Sequence, residues 1–595
     1  AFQPFFVDLV PPRILTEGDE IFLPTQIRNY TENDENVSVL MDQSPWFSFL
    51  NSANQNINVK ANSTGNATFG FKAEEPISDG KQRVTATASN ESDAIEKIVT
   101  VKPNGREIIK TESRMINGAE SFEINYPTNA MPKTQKAELK IYPNLFSHVS
   151  ESVLGLLQRP YGCGEQLISS TYPNLMILKF ALKSSPNERN SLIEKQAKRN
   201  LLKGYEKLLG YRMPDGGFSF WGGKDESDIA LTAYAIRFLR DASGFIEIDS
   251  DVIDRAQEWL ISQQQKDGSW TKKNSWETVA DSRQTKLLTA YISRVLTMKH
   301  SSGPDENSKD ESESAAIPAV LSAFNYLESH EDGIDEPYFL ALYGLALFDS
   351  GKTVEAYDIA KKLAKIAIPE NGAVYWKLET NTPFYGWGTA GRIETTALAV
   401  QMLAKFKNSA VSDANFRELI SKGMLFMLRN KDRYGVWHST QTTINVLDSF
   451  LAELASEHTT PRGFDDIRII LNGEEIRAMK IPFDQIAPVS LDLSDKLTES
   501  ANRLEIISSS TSPLTAQVVA GSYVDWKDSG ISPVNAATNE NQSRQLALSY
   551  NCSDLTAAIM QEISCSVKAE RIGFRGYGML LAEIGTPPGA EISRE

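Results

Sequence analysis

Hydrophobic periodicity changes twice along this chain, and that double change limits the architectures open to it. Up to about residue 147, apolar and polar residues alternate in short runs. Examples are Pro4-Phe5-Phe6-Val7-Asp8-Leu9-Val10, Val37-Ser38-Val39-Leu40 and Ala67-Thr68-Phe69-Gly70-Phe71, which show the two-residue repeat of half-buried strands. From about 149 the spacing becomes helical, in stretches such as Leu175 to Leu182, Ile229 to Leu239, Tyr338 to Phe348 and Thr443 to Leu454. Alternation returns near Phe464, in Ile467-Arg468-Ile469-Ile470-Leu471 and Thr515-Ala516-Gln517-Val518-Val519-Ala520. The simplest topology inserts the helical block into a small sandwich built from the flanking β-segments, about 104–148 and 459–525.

Within the helical block a short device recurs: Asp215-Gly216-Gly217-Phe218, Asp267-Gly268-Ser269-Trp270, Asn371-Gly372-Ala373-Val374-Tyr375-Trp376 and Tyr434-Gly435-Val436-Trp437. Repetition of this kind predicts helical hairpins arrayed as an α/α toroid, each glycine allowing a turn and each aromatic filling a gap between hairpins. The polar, acidic run from His300 to Ser314 is read as a mobile surface loop. With 595 residues the chain is too long for one core and calls for about four modules. No apolar run approaches the roughly 20 residues that span a bilayer. A net charge of −16 argues against nucleic acid and anionic membranes as partners, because their polyanionic surfaces would repel this one. The chain starts at Ala1 without a signal-like segment, which suggests a mature chain or an excised fragment.

Three cysteines make no disulfide framework. Cys552 and Cys565 are read either as a pair or as two free thiols. Cys163 lies in Arg159-Pro160-Tyr161-Gly162-Cys163-Gly164-Glu165-Gln166. Here a thiol and a carboxamide are three residues apart on a glycine-flanked turn. Attack of the Cys163 sulfur on the Gln166 carboxamide, with loss of ammonia, makes an internal thioester, and Gly162 and Gly164 suit the positive-φ geometry that a small ring needs. A lone Cys-x-x-Gln is usually a small buried hydrophobe, but the full pentapeptide is much rarer.

That pentapeptide resembles the thioester motif of the complement and alpha-2-macroglobulin family. Asp228 to Tyr234, Ile393 to Ala397 and Ser439 to Thr443 are each similar to helix-start segments of the family's toroid, and Gly578 to Gly589 resembles its terminal domain. The wording of Pro4 to Leu9 is more similar to bacterial members. The resemblance implies a multidomain α plus β protein whose α/α toroid, the thioester domain, is inserted in a CUB-like β-domain flanked by macroglobulin-type β-sandwiches. The implied boundaries are 1–103 for a macroglobulin-type sandwich, 104–148 and 459–525 for the two CUB-like halves, 149–458 for the thioester domain, and 526–595 for an incomplete final macroglobulin-type domain.

The same resemblance implies a single-use acylating protein rather than a turning-over enzyme: an endopeptidase inhibitor that attaches itself to proteases or to cell-surface amines and hydroxyls. It implies no cofactor, no metal, and an extracytoplasmic location, periplasmic or secreted. It also implies upstream macroglobulin domains and a protease-bait segment in a longer chain. A complement-like opsonin or surface adhesin is the alternative. A terpene-cyclase-like enzyme is disfavoured, since no Asp-x-Asp-Asp acid is present. Tyr161, Tyr577 and Met579 are candidates for shielding the thioester, or are ordinary core residues. Family members that acylate hydroxyls carry a histidine on the loop after an Asp-Gly turn, whereas Asp267 to Asp281 holds none. His438, in Trp437-His438-Ser439-Thr440-Gln441, is the one histidine in a family segment; it is either a base near the thioester or a packed or solvent-facing side chain.

Overall fold

The computed structural model describes the chain outside residues 1–2, 156, 158, 184–190, 224, 272–281, 299–310, 331–335, 408–413, 455–462, 486, 500, 510–513, 529–545, 555, 557, 559–560 and 572–595. The N-terminal alternation becomes two sheets. One orders β1 (Phe5–Leu9), β3 (Glu20–Asn29), β7 (Ser63–Ala73) and β5 (Phe47–Phe49). The other orders β2 (Ile14–Thr16), β9 (Ser92–Lys102), β8 (Ile77–Thr87), β4 (Glu35–Met41) and β6 (Asn54–Val59). Period-two residues such as Phe5, Val7 and Leu9, or Val37, Val39 and Met41, are buried between them in one core, as sandwich geometry requires.

Strands from either side of the helical block then interleave. One sheet runs β10 (Arg106–Ile116), β19 (Leu514–Val524), β12 (Lys136–Tyr142) and β17 (Val489–Asp492). The facing sheet runs β11 (Ala119–Ile124), β18 (Asn502–Ser508), β15 (Phe464–Leu471) and β16 (Glu474–Pro482). β12 pairs antiparallel with β19 from Lys136↔Gly521 to Tyr142↔Thr515, and the two sheets share a core of Phe122, Leu139, Ile469, Leu504 and Val518. Near the C-terminus β20 (Leu546–Cys552) and β21 (Cys565–Arg571) form a hairpin closed by a Cys552–Cys565 disulfide. The strand expected at Gly578 to Ile584 lies outside the described residues.

Between β12 and β15 the chain forms α1 (Leu145–Gly155), α2 (Gly164–Lys183), α3 (Ser191–Leu208), α4 (Ile229–Ser243), α5 (Ser250–Ser262), α6 (Ser282–Thr297), α7 (Glu311–Ser329), α8 (Pro337–Asp349), α9 (Thr353–Lys365), α10 (Gly388–Ala404), α11 (Ala414–Arg429) and α12 (Thr440–Leu454). A small hairpin of β13 (Ile368–Glu370) and β14 (Ala373–Tyr375) interrupts them. The even-numbered helices pack side to side in a closed ring, α12 meeting α2, and the odd-numbered ones lie outside. Composition explains the sorting. α8 is buried from Pro337 to Leu347, whereas α9 buries only Ala356, Ile359, Ala360 and Leu363; a helix apolar all round goes inside and an amphipathic one outside.

Two details differ from the sequence reading. Ile393 to Ala397 lies one turn into α10, which begins at Gly388, so this segment is wall rather than start. Glu311 to Ser314, read as part of a loop, opens α7; 300–310 lie outside the described residues.

The recurrent turns have one construction. The backbone N–H of Phe218, Trp270, Trp376 and Trp437 donates to Thr232, Thr289, Thr396 and Thr443 Oγ1, at 2.9, 3.0, 3.1 and 3.0 Å. The indole N–H of Trp270, Trp376 and Trp437 donates to the carbonyl oxygens of Leu260, Leu363 and Met427, at 2.7, 2.8 and 2.6 Å. Each tryptophan is fully buried and gives a second donor to a last-turn carbonyl that has no i+4 partner and accepts only an i+3 backbone N–H, from Gln263, Ile366 and Asn430 in turn. Down the ring's middle, Lys179 meets Asp241 at 2.9 Å, Arg237 meets Asp448 at 2.6 Å and Asn445 Oδ1 at 3.1 Å, and Tyr338 and Asn445 donate to Glu394. Burial raises the Glu394 carboxyl to about 7.

The toroid is fastened to the β-domain by a buried polar cluster. Lys431, just after α11, reaches Glu151 at 2.6 Å and His148 Nδ1 at 3.2 Å, both on α1, and lies over the Tyr142 ring of β12. Lys140 of β12 bonds Glu151 at 2.9 Å and the Arg433 carbonyl at 3.0 Å, while Gln517 of β19 donates to the Lys431 carbonyl. Burial, and then the Lys431 charge, holds His148 well below its ordinary value of 6.5. The folded His148 therefore stays neutral where the unfolded one takes up a proton, and folding becomes costlier as pH falls below about 6.5, by about 1.4 kcal/mol per pH unit. Urea titrations between pH 7 and pH 5 are expected to show a shallower loss of stability in His148→Gln than in the unsubstituted protein, by roughly that slope.

Candidate functional site

Gly162 to Gln166 forms the entrance to α2. Leu167 donates its N–H to the Cys163 carbonyl at 2.7 Å, which makes Cys163 the N-cap and Gly164, Glu165 and Gln166 the first three helical residues. The Cys163 N–H donates to Gln166 Oε1 at 3.2 Å. This is half of a capping box, in which the third helical residue reaches back to the N-cap N–H. Cysteine stands where serine or threonine usually does. The box brings the N-cap and the third side chain onto one side of the turn, so a thiol at one and a carboxamide at the other become neighbours.

The glycines are needed for steric reasons. Gly162 has φ +90°, and a β-carbon there would overlap the Gln166 side chain. A β-carbon on Gly164 would lie 2.6 Å from the Ser219 carbonyl oxygen. Neighbours hold the backbone: Tyr211 donates its hydroxyl to the Gly162 carbonyl at 2.8 Å, Gly164 its N–H to the Phe220 carbonyl at 2.8 Å, and Lys207 its ammonium to the Pro160 carbonyl at 2.8 Å. Ser170 Oγ accepts the Tyr161 N–H at 3.2 Å. The thiol of Cys163 is half-buried and Gln166 is exposed.

Of the other predicted site residues, Tyr161 is 59% exposed, so it is not core. Tyr577 and Met579 lie outside the described residues, as does most of the Asp267–Asp281 segment. His438 is exposed, with φ +35°, in a tight turn where Ser439 donates its N–H to the Trp437 carbonyl. Three residues later Gln441 Nε2 donates to Glu165 Oε1 at 3.4 Å, which brings this segment against the motif. Glu165 Oε1 also accepts from Ser169 Oγ at 2.6 Å, and Ser169 meets the Tyr234 hydroxyl at 3.3 Å. No group of three metal-ligating side chains occurs among the described residues.

Sequence reasoning missed Tyr211, Ser169 and Gln441. Gln441 stood in a quoted segment, but only the closed ring makes α12 a neighbour of α2. Nothing in the local sequence of Tyr211 marks its hydroxyl as a brace for Gly162.

Taken together, an α/α toroid carried on a split β-domain, with a Cys-x-x-Gln cap at one inner helix, defines a thioester-domain protein. The chain belongs to the alpha-2-macroglobulin family: the model of the A-macroglobulin TED domain matches residues 136–453, just over half of the chain, and the alpha-2-macroglobulin family model matches residues 1–41. Thioester-containing protein 1 allele S1 of Anopheles gambiae is 29% identical over 54% of this chain and 23% of its own length. Ovostatin of Gallus gallus is 23% identical over 77% of this chain and 32% of its own. The chain thus spans 23% and 32% of the length of these two relatives. Among solved structures, Salmonella alpha-2-macroglobulin reacted with methylamine superposes with a TM-score of 0.57 at 18% identity, over 92% of this chain and 32% of that one. Native Escherichia coli alpha-2-macroglobulin from domain MG7 to the C-terminus gives 0.55 at 18%, over 92% and 77%. At that identity the likeness establishes the fold. No described helix is long and apolar enough to cross a membrane.

Gly162→Ala is expected to displace Gln166 from the cap and to destabilise the protein by about 1–3 kcal/mol, the cost of a strained backbone conformation. Faster amide hydrogen exchange at Cys163 together with a lowered melting temperature checks this.

Proposed function

We propose that Cys163 and Gln166 close into an internal thioester and that the protein acylates amines of attacking proteases or target surfaces through it, once. The observation that carries this reading is the capping bond from the Cys163 N–H to Gln166 Oε1, which holds the two reacting side chains on one turn. Closure forms the bond between Cys163 Sγ and Gln166 Cδ and breaks the Cδ–N bond; the thiol proton leaves with nitrogen as ammonia. An incoming amine then attacks Cδ, the carbon–sulfur bond breaks, and the amine proton passes to sulfur, regenerating the Cys163 thiol.

Water must be excluded until activation, because a thioester hydrolyses. Tyr161 and, in the final β-domain, Tyr577 and Met579 remain the proposed shield. On this reading the chain is the thioester-bearing part of a longer protease trap, with CUB-like halves at 104–148 and 459–525 around a toroid at 149–458. Macroglobulin-type sandwiches at 1–103 and 526–595 flank them. The Cys552–Cys565 disulfide supports an oxidising, extracytoplasmic location. No cofactor is invoked.

Amines are the proposed targets because hydroxyl transfer at neutral pH needs a base or an acyl-imidazole. Within Trp270 to Asp281 the ionisable side chains are Lys272, Lys273, Glu277 and Asp281, and carboxylates with ordinary values near 4 are weak bases for a hydroxyl. The native protein is expected to be lighter than its sequence by one ammonia, with Cys163 untitratable until methylamine is added. A full-mass protein with a free Cys163 thiol refutes the reading. In competition between labelled methylamine and labelled glycerol, methylamine is expected to dominate. Efficient glycerol transfer that His438→Ala abolishes would instead make His438 the base.

A further inference from the structure

Glu165 lies between the two reacting residues in sequence and is the second residue of α2. A carboxylate there is favoured by the helix N-terminus and is a stronger acceptor than a carboxamide. Left free, it would compete with Gln166 for the Cys163 N–H, and a carboxylate is a much poorer acyl donor to a thiol. Two side chains restrain it. Ser169 Oγ donates to Glu165 Oε1 at 2.6 Å from one turn along α2, and Gln441 Nε2 donates to the same oxygen at 3.4 Å from α12. Gln441 is itself 9% exposed, and its helix is held on its other side by the bond from Thr442 Oγ1 to the Ala390 carbonyl of α10.

We propose that Gln441 is a positioning residue for ring closure: with Ser169 it anchors the Glu165 carboxylate at the seam between α2 and α12, so that Gln166 alone occupies the Cys163 cap. The inference rests on the thioester reading and adds the residue that decides which side chain the thiol meets. It also makes closure depend on the toroid being complete, because α12 is the last helix of the ring and α2 the first of its inner wall.

The test is a double substitution cycle on the full chain. Thioester content, read as ammonia lost and as Cys163 thiol blocked before methylamine, is expected to fall about three- to tenfold in Gln441→Ala, the range for losing one hydrogen bond of ordinary net strength, since this bond is long at 3.4 Å. In a Glu165→Gln background the same Gln441 substitution is expected to cost less than about twofold, since no carboxylate remains to be restrained. Equal losses in both backgrounds would assign Gln441 to packing and overturn the proposal, as would no loss in either. Amide exchange at Cys163 supplies a second readout that does not need the ring: where Gln166 is uncyclised, exchange is expected to slow in Gln441→Ala as the released carboxylate, the stronger acceptor, takes the Cys163 N–H, and unchanged or faster exchange would overturn the proposal. Should the unsubstituted protein never lose ammonia, the thioester reading fails, and the exchange measurement alone decides whether Gln441 guards the cap.

Discussion

The pairing of β12 with β19 is the constraint on which the rest of the molecule depends. It joins segments as far apart as Tyr142 and Gln517, 375 residues distant in sequence. Loop-closure entropy grows only logarithmically with length, so such an insertion is tolerable if the inserted piece brings its own ends together. The toroid does this. Its ring closes where α12 meets α2, α1 packs on both, and the Lys431–Glu151–Lys140 cluster binds that junction to β12. Ring and sandwich are each completed at the same place.

Ring closure also sets the chemistry of the walls. Inner helices bury both faces, so their polar residues must find partners along the axis, and Lys179, Arg237, Asp241 and Asp448 do so among themselves. Buried charges paired in this way favour one arrangement over others more than they add stability. Thr232, Thr289, Thr396 and Thr443, one to two turns into α4, α6, α10 and α12, do comparable work at the rim, each accepting the N–H of an aromatic turn residue.

Much of this was legible in the sequence, for identifiable reasons. Period changes near 148 and 464 located the inserted block, because a two-residue repeat cannot be mistaken for a helical one over such lengths. The glycine-aromatic turns marked the hairpins, and Phe218, Trp270, Trp376 and Trp437 proved to be core, whereas Tyr434 of the last turn is exposed. Their indole bonds to Leu260, Leu363 and Met427 were not legible, since a carbonyl acceptor leaves no sequence trace. Pairs across the ring, such as Gln441 with Glu165 or Lys431 with His148, were invisible because they are set by tertiary closure. Cys163 and Gln166 were legible because their relation is local, three residues on one turn.

That local relation has a thermodynamic direction. A neutral carboxamide at the third position of a helix is a weaker complement to its N-terminus than a carboxylate. Spending the proposed ring on water would leave a glutamate at position 166, facing a restored thiol and the first-turn N–H groups. The discharged helix would start with a better cap than the helix that was charged. Folding would thus load α2 against its own preference and reaction would relax it, so the spent protein has no route back to the loaded one short of new synthesis.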